Sequence, residues 1–284
     1  MMHALDPVRL KREQKDNWNI AAAGRRIWSE RFERGAYPVS KRLVELAEIG
    51  PGHRVLDVAT GDGEPAVTAA RRVAPDGLVI AIDQAPGMIS AARDRAARLG
   101  VTNIEFREAD AETLDIPETG FDAVLCRWGL MFLPDLTGAL RRMRELLTEH
   151  GRIATAVWDR PETVPMITMG SEAIREILNQ PPSPPGSLEP YRLSDPAALE
   201  KSFRDAGFAD FRIEPITVTF EFESPEAFAR FRFEFTGRFR KMIEALDLAT
   251  RNRIAAATIS AARQFVNGGI VRIPNQAFCA VARK

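Results

Sequence analysis

The sequence has few of the residues that build disulfide frameworks or metal centres. Its 284 residues include two cysteines, Cys126 and Cys279, and three histidines. Two cysteines imply no disulfide framework and no ligand set for a structural zinc ion. We therefore expect reduced cysteines and no metal site.

The sequence also has no surplus of charge of either sign. Its 39 Lys and Arg residues balance 39 Asp and Glu residues, so the formal net charge is zero and the sequence pI is about 6.9. A dedicated nucleic-acid-binding protein normally carries a basic surplus. The balance therefore argues against a nucleic-acid partner.

Long apolar runs are absent as well, although hydrophobic residues make up 45% of the chain. No run approaches the roughly 20 apolar residues that a membrane-spanning helix needs. Charged residues near the N-terminus, such as Asp6, Arg9 and Lys11, are unlike a signal peptide. We expect a cytoplasmic protein with a large core and no membrane span.

The most informative stretch that is present runs from residue 54 to residue 65. Its apolar residues 55–58 predict a strand buried on both faces. Gly61 and Gly63 predict a tight turn, and a helical pattern begins at Glu64. This order of strand, glycine turn and helix is typical of a nucleotide or cofactor site, because the helix start offers unpaired N–H groups.

Two kinds of binding fold are compatible with this unit. A dinucleotide-binding fold has G-x-G-x-x-G after its first strand, and Ala66 at the third glycine is a tolerated variant. Residues 57–63 also resemble the first motif of class I S-adenosylmethionine (SAM) methyltransferases, with Ala59 at the family's usual first glycine. Asp57 favours the second interpretation. The resemblance implies that this acid faces the ammonium group of SAM, whereas a dinucleotide site must accept an anionic pyrophosphate.

Four more strands follow the first at intervals, separated by helical patterns, at residues 78–82, 103–108, 121–126 and 152–158. This alternation predicts an α/β fold with a doubly wound parallel sheet. The resemblance implies a seven-stranded sheet with strand seven antiparallel. Residues 211–222 are then strand six, and residues 271–281 are strand seven.

Acids at successive strand ends predict the cofactor site. Asp83 ends the second strand, 20 residues after Gly63, where an acid can bind both hydroxyls of a ribose. The resemblance implies that Met88 packs on adenine, with ordinary core packing as the alternative, and that Asp110 accepts a hydrogen bond from the adenine amino group. The predicted SAM-binding residues are Asp57, Ala59, Thr60, Gly61, Gly63, Asp83, Gln84, Met88, Asp110, Ala111 and Arg127.

Aromatic residues at the end of the fourth strand predict the side where the acceptor binds. The predicted acceptor contacts are Trp18, Trp128, Met131 and Phe132. Arg127 leaves two alternatives open, because its guanidinium can orient an anionic substrate or its backbone can hold the cofactor ammonium group. We assign no catalytic residue, since none of the three histidines lies near this edge of the predicted sheet.

The predicted organisation has six segments. They are N-terminal helices (1–50), a SAM-binding α/β core (51–160), a cap insertion (161–190), core completion by a helix and strand six (191–223), a helical cap insertion (224–269) and strand seven (270–284). A proline-rich link at 181–185 marks a boundary between cap and sheet. Apolar side chains of the two insertions predict a cover over the acceptor, namely Met166, Met169, Phe228, Phe231, Phe235 and Phe239.

The resemblance covers residues 18–158 with the later strands, and it is greatest to the branch that includes ubiquinone/menaquinone C-methyltransferases. It implies in-line (SN2) transfer of the methyl group of SAM to a small, hydrophobic or aromatic acceptor. Two alternatives stay open: a SAM-binding protein without catalysis, and an NAD-dependent oxidoreductase, which Asp57 disfavours. A homodimer is compatible with the sequence.

Overall fold

The predicted alternation of strands and helices is present in the computed structural model, which describes residues 6–181 and 187–284. The strands of these residues are β1 (Arg54–Val58), β2 (Leu78–Asp83), β3 (Ile104–Glu108), β4 (Phe121–Arg127), β5 (Leu147–Trp158), β6 (Ala209–Phe222), β7 (Val266–Asn267) and β8 (Ile270–Arg283). Their α-helices are α1 (Pro7–Leu46), α2 (Ala66–Val73), α3 (Pro86–Arg98), α4 (Leu136–Leu146), α5 (Pro165–Ile177), α6 (Pro196–Asp205), α7 (Pro225–Phe235), α8 (Gly237–Glu244) and α9 (Leu248–Ala262). Short 3-10 turns lie at Leu130–Phe132, Pro161–Thr163 and Arg263–Phe265.

The strands form one mixed sheet in the order β3-β2-β1-β4-β5-β8-β6, with β7 paired to β8. Strands β1 to β5 are parallel, whereas β8 is antiparallel to β5 and β6. The predicted sheet with an antiparallel last strand is therefore confirmed, and a hairpin through Gly268 and Gly269 adds the short β7. The strand order reverses between β1 and β4, where open α/β sheets form a ligand crevice.

The centre of this sheet is apolar on both faces. Val55, Leu56 and Val58 of β1 have no exposed surface, and the same is true of residues 123–126 in β4. Parallel strands take such apolar sequences because neighbouring elements cover both of their faces. The buried centre aligns the carboxyl ends of β1 and β4, so the polar residues that follow them lie side by side.

The N-terminal segment forms one helix, where the sequence predicted several. Asp6 caps α1 by accepting a hydrogen bond from the Val8 amide at 3.0 Å, and the helix continues through Pro38 for 40 residues. A proline inside a helix removes one backbone hydrogen bond. Packing outweighs that loss, because Phe32 and Leu43 on either side of Pro38 are buried in the core.

The phenylalanine-rich segment after β6 is broken into two helices, where its spacing predicted one. Thr236 has extended backbone angles, φ −119° and ψ 133°, and separates α7 from α8. The next residue, Gly237, lies against the backbone of Asn17 in α1, so close that a Cβ on it would be 1.8 Å from the Asn17 carbonyl oxygen. The break therefore accommodates the passage of α1.

Two further details complete the comparison with the sequence. The predicted turn at residues 149–151 is an irregularity inside β5, since the pairing of β4 with β5 shifts between Phe121 and Ala123. The predicted link at 181–185 falls mostly on residues 182–186, outside the described residues. Among the helices of the described residues, we find none that is long and apolar enough to cross a membrane.

Candidate cofactor and acceptor site

A cavity of about 570 Å³ opens at the carboxyl ends of the parallel strands. Small-molecule sites commonly have volumes of roughly 300–1,000 Å³. We call the part lined by residues 59–62, 83–84 and 109–112 the loop end, and the part lined from α5, α7 and α8 the helical end. Residues of α1 between Lys11 and Phe32 line the cavity as well, so the earlier part of this helix borders the site.

Asp57 holds the turn that follows β1. Its Oδ2 accepts hydrogen bonds from Thr60 Oγ1 at 2.6 Å and from the Ala66 amide at 3.0 Å. The side chain has no exposed surface, and burial raises the pKa of Asp57 to about 7. Asp57 does not line the cavity, so the direct ligand contact predicted for it is not seen and its geometry supports the turn instead.

The turn itself presents backbone to the cavity. Ala59 and Gly61 both have positive φ, +56° and +58°, and Thr60 between them also lines the cavity. A Cβ on Gly61 would meet nothing within 4 Å, so the space in front of this residue is open. Gly63 differs, because its Cβ position lies 3.4 Å from Ala92 of α3, and it serves helix packing away from the cavity.

Asp83 at the end of β2 lies in the loop end, as the sequence predicted. Its Oδ2 accepts a hydrogen bond from the Gly61 amide at 3.0 Å, and its Oδ1 accepts one from the Ala85 amide at 2.9 Å. Burial raises the pKa of Asp83 to about 6, although these two hydrogen bonds act to lower it. Gln84 and Met88 line the cavity beside it, and Met88 is also packed under α1.

Asp110 and Ala111 follow β3 and line the same end. Asp110 Oδ1 accepts a hydrogen bond from the Glu112 amide at 2.8 Å. Its Oδ2 lies 2.8 Å from the ammonium group of Lys11, which also pairs with the Glu112 carboxylate. The first turns of α1 are thereby tied to the predicted adenine side of the cavity.

Arg127 ends β4 and turns its guanidinium toward α1. Its Nη1 donates to Glu33 Oε2 at 2.7 Å and to Ser40 Oγ at 2.9 Å, and its Nη2 donates to Glu33 Oε1 at 2.6 Å. Both charged side chains are buried. This pairing argues against a guanidinium that orients an anionic substrate, and a backbone contact of Arg127 with the cofactor stays a prediction.

Sequence reasoning missed a second buried charge pair beneath the turn. Arg25 Nη1 donates to Asp62 Oδ1 at 3.2 Å, and Ser29 donates to the other oxygen of Asp62. The side chains of Arg25 and Asp62 are 13% and 3% exposed. A signal existed, because Arg25, Ser29 and Glu33 recur every four residues and therefore share one face of α1.

Aromatic rings line the cavity beyond the turn. Trp128 and Trp158 are stacked with centroids 4.2 Å apart and an interplanar angle of 7°, and Trp18 meets Phe132 edge to face at 5.5 Å. All four residues line the cavity. Met131 does not; it is fully buried in the core, and its prediction as an acceptor contact is wrong. The side chain of Met131 packs into the core, whereas that of the next residue, Phe132, lines the cavity.

The predicted cover is present in part. Of the six apolar side chains predicted to form it, half line the cavity and half are packed in the core away from it. The lining residues are Met166, Phe235 and Phe239. The core residues are Met169, Phe228 and Phe231. A further part of the cover comes from α1, which the sequence interpretation did not include.

The histidines of the described residues lie away from the cavity, as the sequence predicted. His53 precedes β1, where its Nδ1 accepts a hydrogen bond from the Gly50 amide at 3.3 Å. His150 is exposed in the irregular first part of β5. Neither residue lines the cavity, so neither is positioned to take a proton from a bound acceptor.

Part of this chain is similar in sequence to known proteins. Residues 49–184 match a family model described as a methyltransferase domain. Aklanonic acid methyltransferase DauC of a Streptomyces species is 44% identical over 117 residues, which are 41% of this chain and 53% of DauC. The ubiquinone/menaquinone biosynthesis C-methyltransferase UbiE of Pseudomonas putida is 37% identical over 129 residues, 45% of this chain and 50% of UbiE. The chain thus spans about half the length of these curated relatives.

Solved structures resemble a larger share of the chain. The YcgJ protein of Bacillus subtilis has a TM-score of 0.55 at 18% identity, over 87% of this chain and 98% of YcgJ. The [4+2]-cyclase SpnF has a TM-score of 0.54 at 19% identity, over 87% of this chain and 80% of SpnF. At such low identity, these likenesses show the fold alone.

Proposed function

We propose that the protein transfers the methyl group of SAM to a small, hydrophobic or aromatic acceptor, since residues 49–184 match a model of a methyltransferase domain and two curated methyltransferases are similar to part of the chain. The observation that carries the proposal is the continuity of the cavity. The same cavity is lined by the residues predicted to bind SAM, except Asp57 and Gly63, and by the side chains of the helical end, where a second molecule can bind.

The residues of the loop end fit SAM. An ionised carboxylate can accept about four hydrogen bonds, and the two backbone amides on Asp83 leave acceptor positions for the two ribose hydroxyls. The open space before Gly61 allows the methionine part of SAM to approach the turn. Met88 would border the adenine, and Asp110 would accept from its amino group.

The chain contributes to the reaction mainly by position and by exclusion of water. SAM supplies an already activated methyl group, so the protein has to hold the acceptor in line with it. The faces of Trp128 and Trp158 suit a site next to a sulfonium, because aromatic rings attract cations. Among the described residues no histidine lines the cavity, which suits an acceptor that is already nucleophilic or ionised.

The fold alone does not decide the reaction, as the name of the cyclase SpnF makes plain. Binding and turnover are therefore measured separately. Calorimetric titration with SAM and with NAD is expected to give binding of SAM only. Binding of NAD in place of SAM would favour the oxidoreductase.

Turnover is measured with methyl-labelled SAM and a panel of aromatic acids, phenols and quinols. Transfer of label to at least one acceptor is expected. Tight SAM binding without transfer to any member of the panel would favour the alternative of a SAM-binding protein without catalysis.

We propose further that two copies of this chain form a homodimer. The mass of the protein in solution tests this proposal. One chain has a mass of 31.6 kDa. Sedimentation equilibrium across a tenfold range of concentration is expected to give twice that mass at the upper end. A constant mass of 31.6 kDa over the whole range would show a monomer and contradict the homodimer.

A further inference from the structure

One arginine at the helical end is buried without a counter-ion. Arg232 in α7 is 2% exposed and lines the cavity, yet no Asp or Glu of the described residues lies within ion-pair distance of it. Other buried arginines of the described residues are paired, for example Arg95 with Glu64 at 3.1 Å and Arg127 with Glu33 at 2.6 Å. A buried unpaired charge is costly, so its retention calls for a partner from outside the chain.

The guanidinium of Arg232 is held in place on two sides. Its Nη2 donates to the carbonyl oxygen of Ile167 in α5 at 3.2 Å. Its plane lies over the ring of Phe239 in α8, with 4.7 Å from the guanidinium carbon to the ring centroid. Its Nε has no hydrogen-bond partner within the described protein. Arg232 therefore borders the cavity with a guanidinium group that α5 and α8 hold in place.

Two buried hydroxyl groups on residues that line the same cavity also lack a hydrogen-bond partner in the described part of the chain. The Tyr191 hydroxyl and Thr236 Oγ1 are both buried, both lack a hydrogen-bond partner within the described residues, and both residues line the cavity. Tyr191 is close enough to Arg232 for the two to interact electrostatically, and burial raises the pKa of its hydroxyl. Thr236 follows Arg232 by one helical turn. Buried polar groups are nearly always paired, so three unpaired donors in one cavity indicate a missing acceptor.

We propose that Arg232, Tyr191 and Thr236 form a subsite that binds an anionic oxygen group of the acceptor, either a carboxylate or an ionised phenol or enol. This inference rests on the proposed function and narrows its substrate class. An oxygen anion satisfies both the charge of Arg232 and the donors of the two hydroxyls, and charge-assisted hydrogen bonds of this kind are the stronger ones. Apolar neighbours such as Met166, Phe239 and Met242 enclose the remainder of the acceptor.

The test uses full-length protein saturated with S-adenosylhomocysteine, whose binding is first measured by calorimetry. The probes are benzoate, 2-naphthoate and 9-anthracenecarboxylate, each compared with its neutral carboxamide, and 2-naphthol titrated from pH 7 to 10. The variants are Arg232→Gln, Arg232→Lys and the control Arg230→Gln. Arg230 is exposed on the same helix and does not line the cavity.

The wild-type protein is expected to bind at least one carboxylate tenfold or more tightly than its amide. Arg232→Gln is expected to abolish that preference, Arg232→Lys to retain part of it, and Arg230→Gln to leave it unchanged. Binding of 2-naphthol that strengthens as it ionises identifies a phenolate or enolate, whereas binding of the carboxylates alone identifies a carboxylate.

Several results would overturn the subsite. They are equal affinity for acid and amide in every pair together with 2-naphthol binding that does not strengthen on ionisation, no binding of any carboxylate or of ionised 2-naphthol, or a preference for the anion that survives in Arg232→Gln. Should Arg232→Gln fail to fold, Tyr191→Phe and Thr236→Val replace it, each with an expected severalfold loss of the preference. Failure of the proposed function is distinguishable, because it would appear as absent binding of S-adenosylhomocysteine before any probe is added.

Discussion

At Asp83, burial and two backbone hydrogen bonds act in opposite directions on one carboxyl group, and burial prevails. The pKa of Asp83 is raised to about 6. A carboxylate that accepts from ribose hydroxyls binds best when ionised, so the affinity for SAM should rise with pH until it levels off above about 6. We expect affinity at pH 5 to be about tenfold weaker than at pH 7. Calorimetry at a series of pH values measures it.

The substitution Asp83→Asn tests the same group without a change of pH. Loss of the charge should weaken SAM binding at pH 7 by roughly 2–4 kcal/mol, a factor of about 30 to 1,000. The pH dependence of the affinity should flatten in this variant. Asp76→Asn, in an exposed turn, is the control. An unchanged dissociation constant in folded Asp83→Asn would refute the ribose assignment.

Arg232 and Arg127 should respond in opposite ways to the same substitution. Arg232→Met removes a buried charge without a counter-ion, so the ligand-free protein should melt higher, by roughly 2–4 °C for each kcal/mol gained. Arg127→Met should melt lower, because it leaves Glu33 buried and unpaired. Thermal denaturation followed by circular dichroism compares the two. Lower melting of both variants would mean that Arg232 is a structural residue.

Among the elements, α1 meets α7 and α8 through two glycines. A Cβ on Gly24 would lie 1.8 Å from the Glu234 carbonyl oxygen, and a Cβ on Gly237 would lie 1.8 Å from that of Asn17. Either residue changed to alanine should force the helices apart, lower the melting temperature and weaken SAM binding together. Thermal denaturation and calorimetry on the same samples measure both effects.

Gly50→Ala is the matched control for these two substitutions. The nearest atom to a Cβ at Gly50 is 3.9 Å away, so the added methyl group meets only ordinary contact. It should change neither the melting temperature nor the affinity for SAM. If Gly24→Ala and Gly237→Ala behaved like Gly50→Ala, the close crossing of these helices would not be required for the site.

The elements that the sequence predicted well are those whose pattern is local. Strands β1 to β5 were predicted from their own sequences, each without reference to another part of the chain. The continuous α1 and the break at Thr236 depend on contacts between segments more than 200 residues apart in the chain, such as Asn17 with Gly237. Spacing within one segment carries no information about such contacts.

Some residues of the candidate site could be predicted from the sequence, and others could not. Asp83 was predicted because an acid at the end of the second strand can bind a ribose, and Asp110 was predicted from the family resemblance; both line the cavity. Asp57 and Met131 were predicted to contact the ligands but do not line the cavity, because sequence position does not tell which side of a turn a side chain faces. Arg232 was missed because it stands in a run of phenylalanines, where the apolar pattern indicates only core.

For the molecule as a whole, the position of α1 has a kinetic consequence. Lys11 pairs with Asp110 at 2.8 Å, and Lys15 pairs with Glu108 at 2.5 Å. These two ion pairs hold the first turns of α1 across the loop end of the cavity. These side chains are between 31% and 48% exposed, and salt screens such pairs. If the proposed cofactor site is correct, we expect these ion pairs to open before S-adenosylhomocysteine leaves it. The ionic strength of the medium should then set the rate of that release.

Stopped-flow displacement of S-adenosylhomocysteine, followed by tryptophan fluorescence, measures the consequence directly. The off-rate should rise severalfold between 0.05 and 0.5 M NaCl, and Lys11→Met should be fast at both concentrations. Lys41→Met, on an exposed part of the same helix, should keep the dependence of the wild type. An off-rate indifferent to salt would mean that product leaves by a path that never disturbs the N-terminal turns.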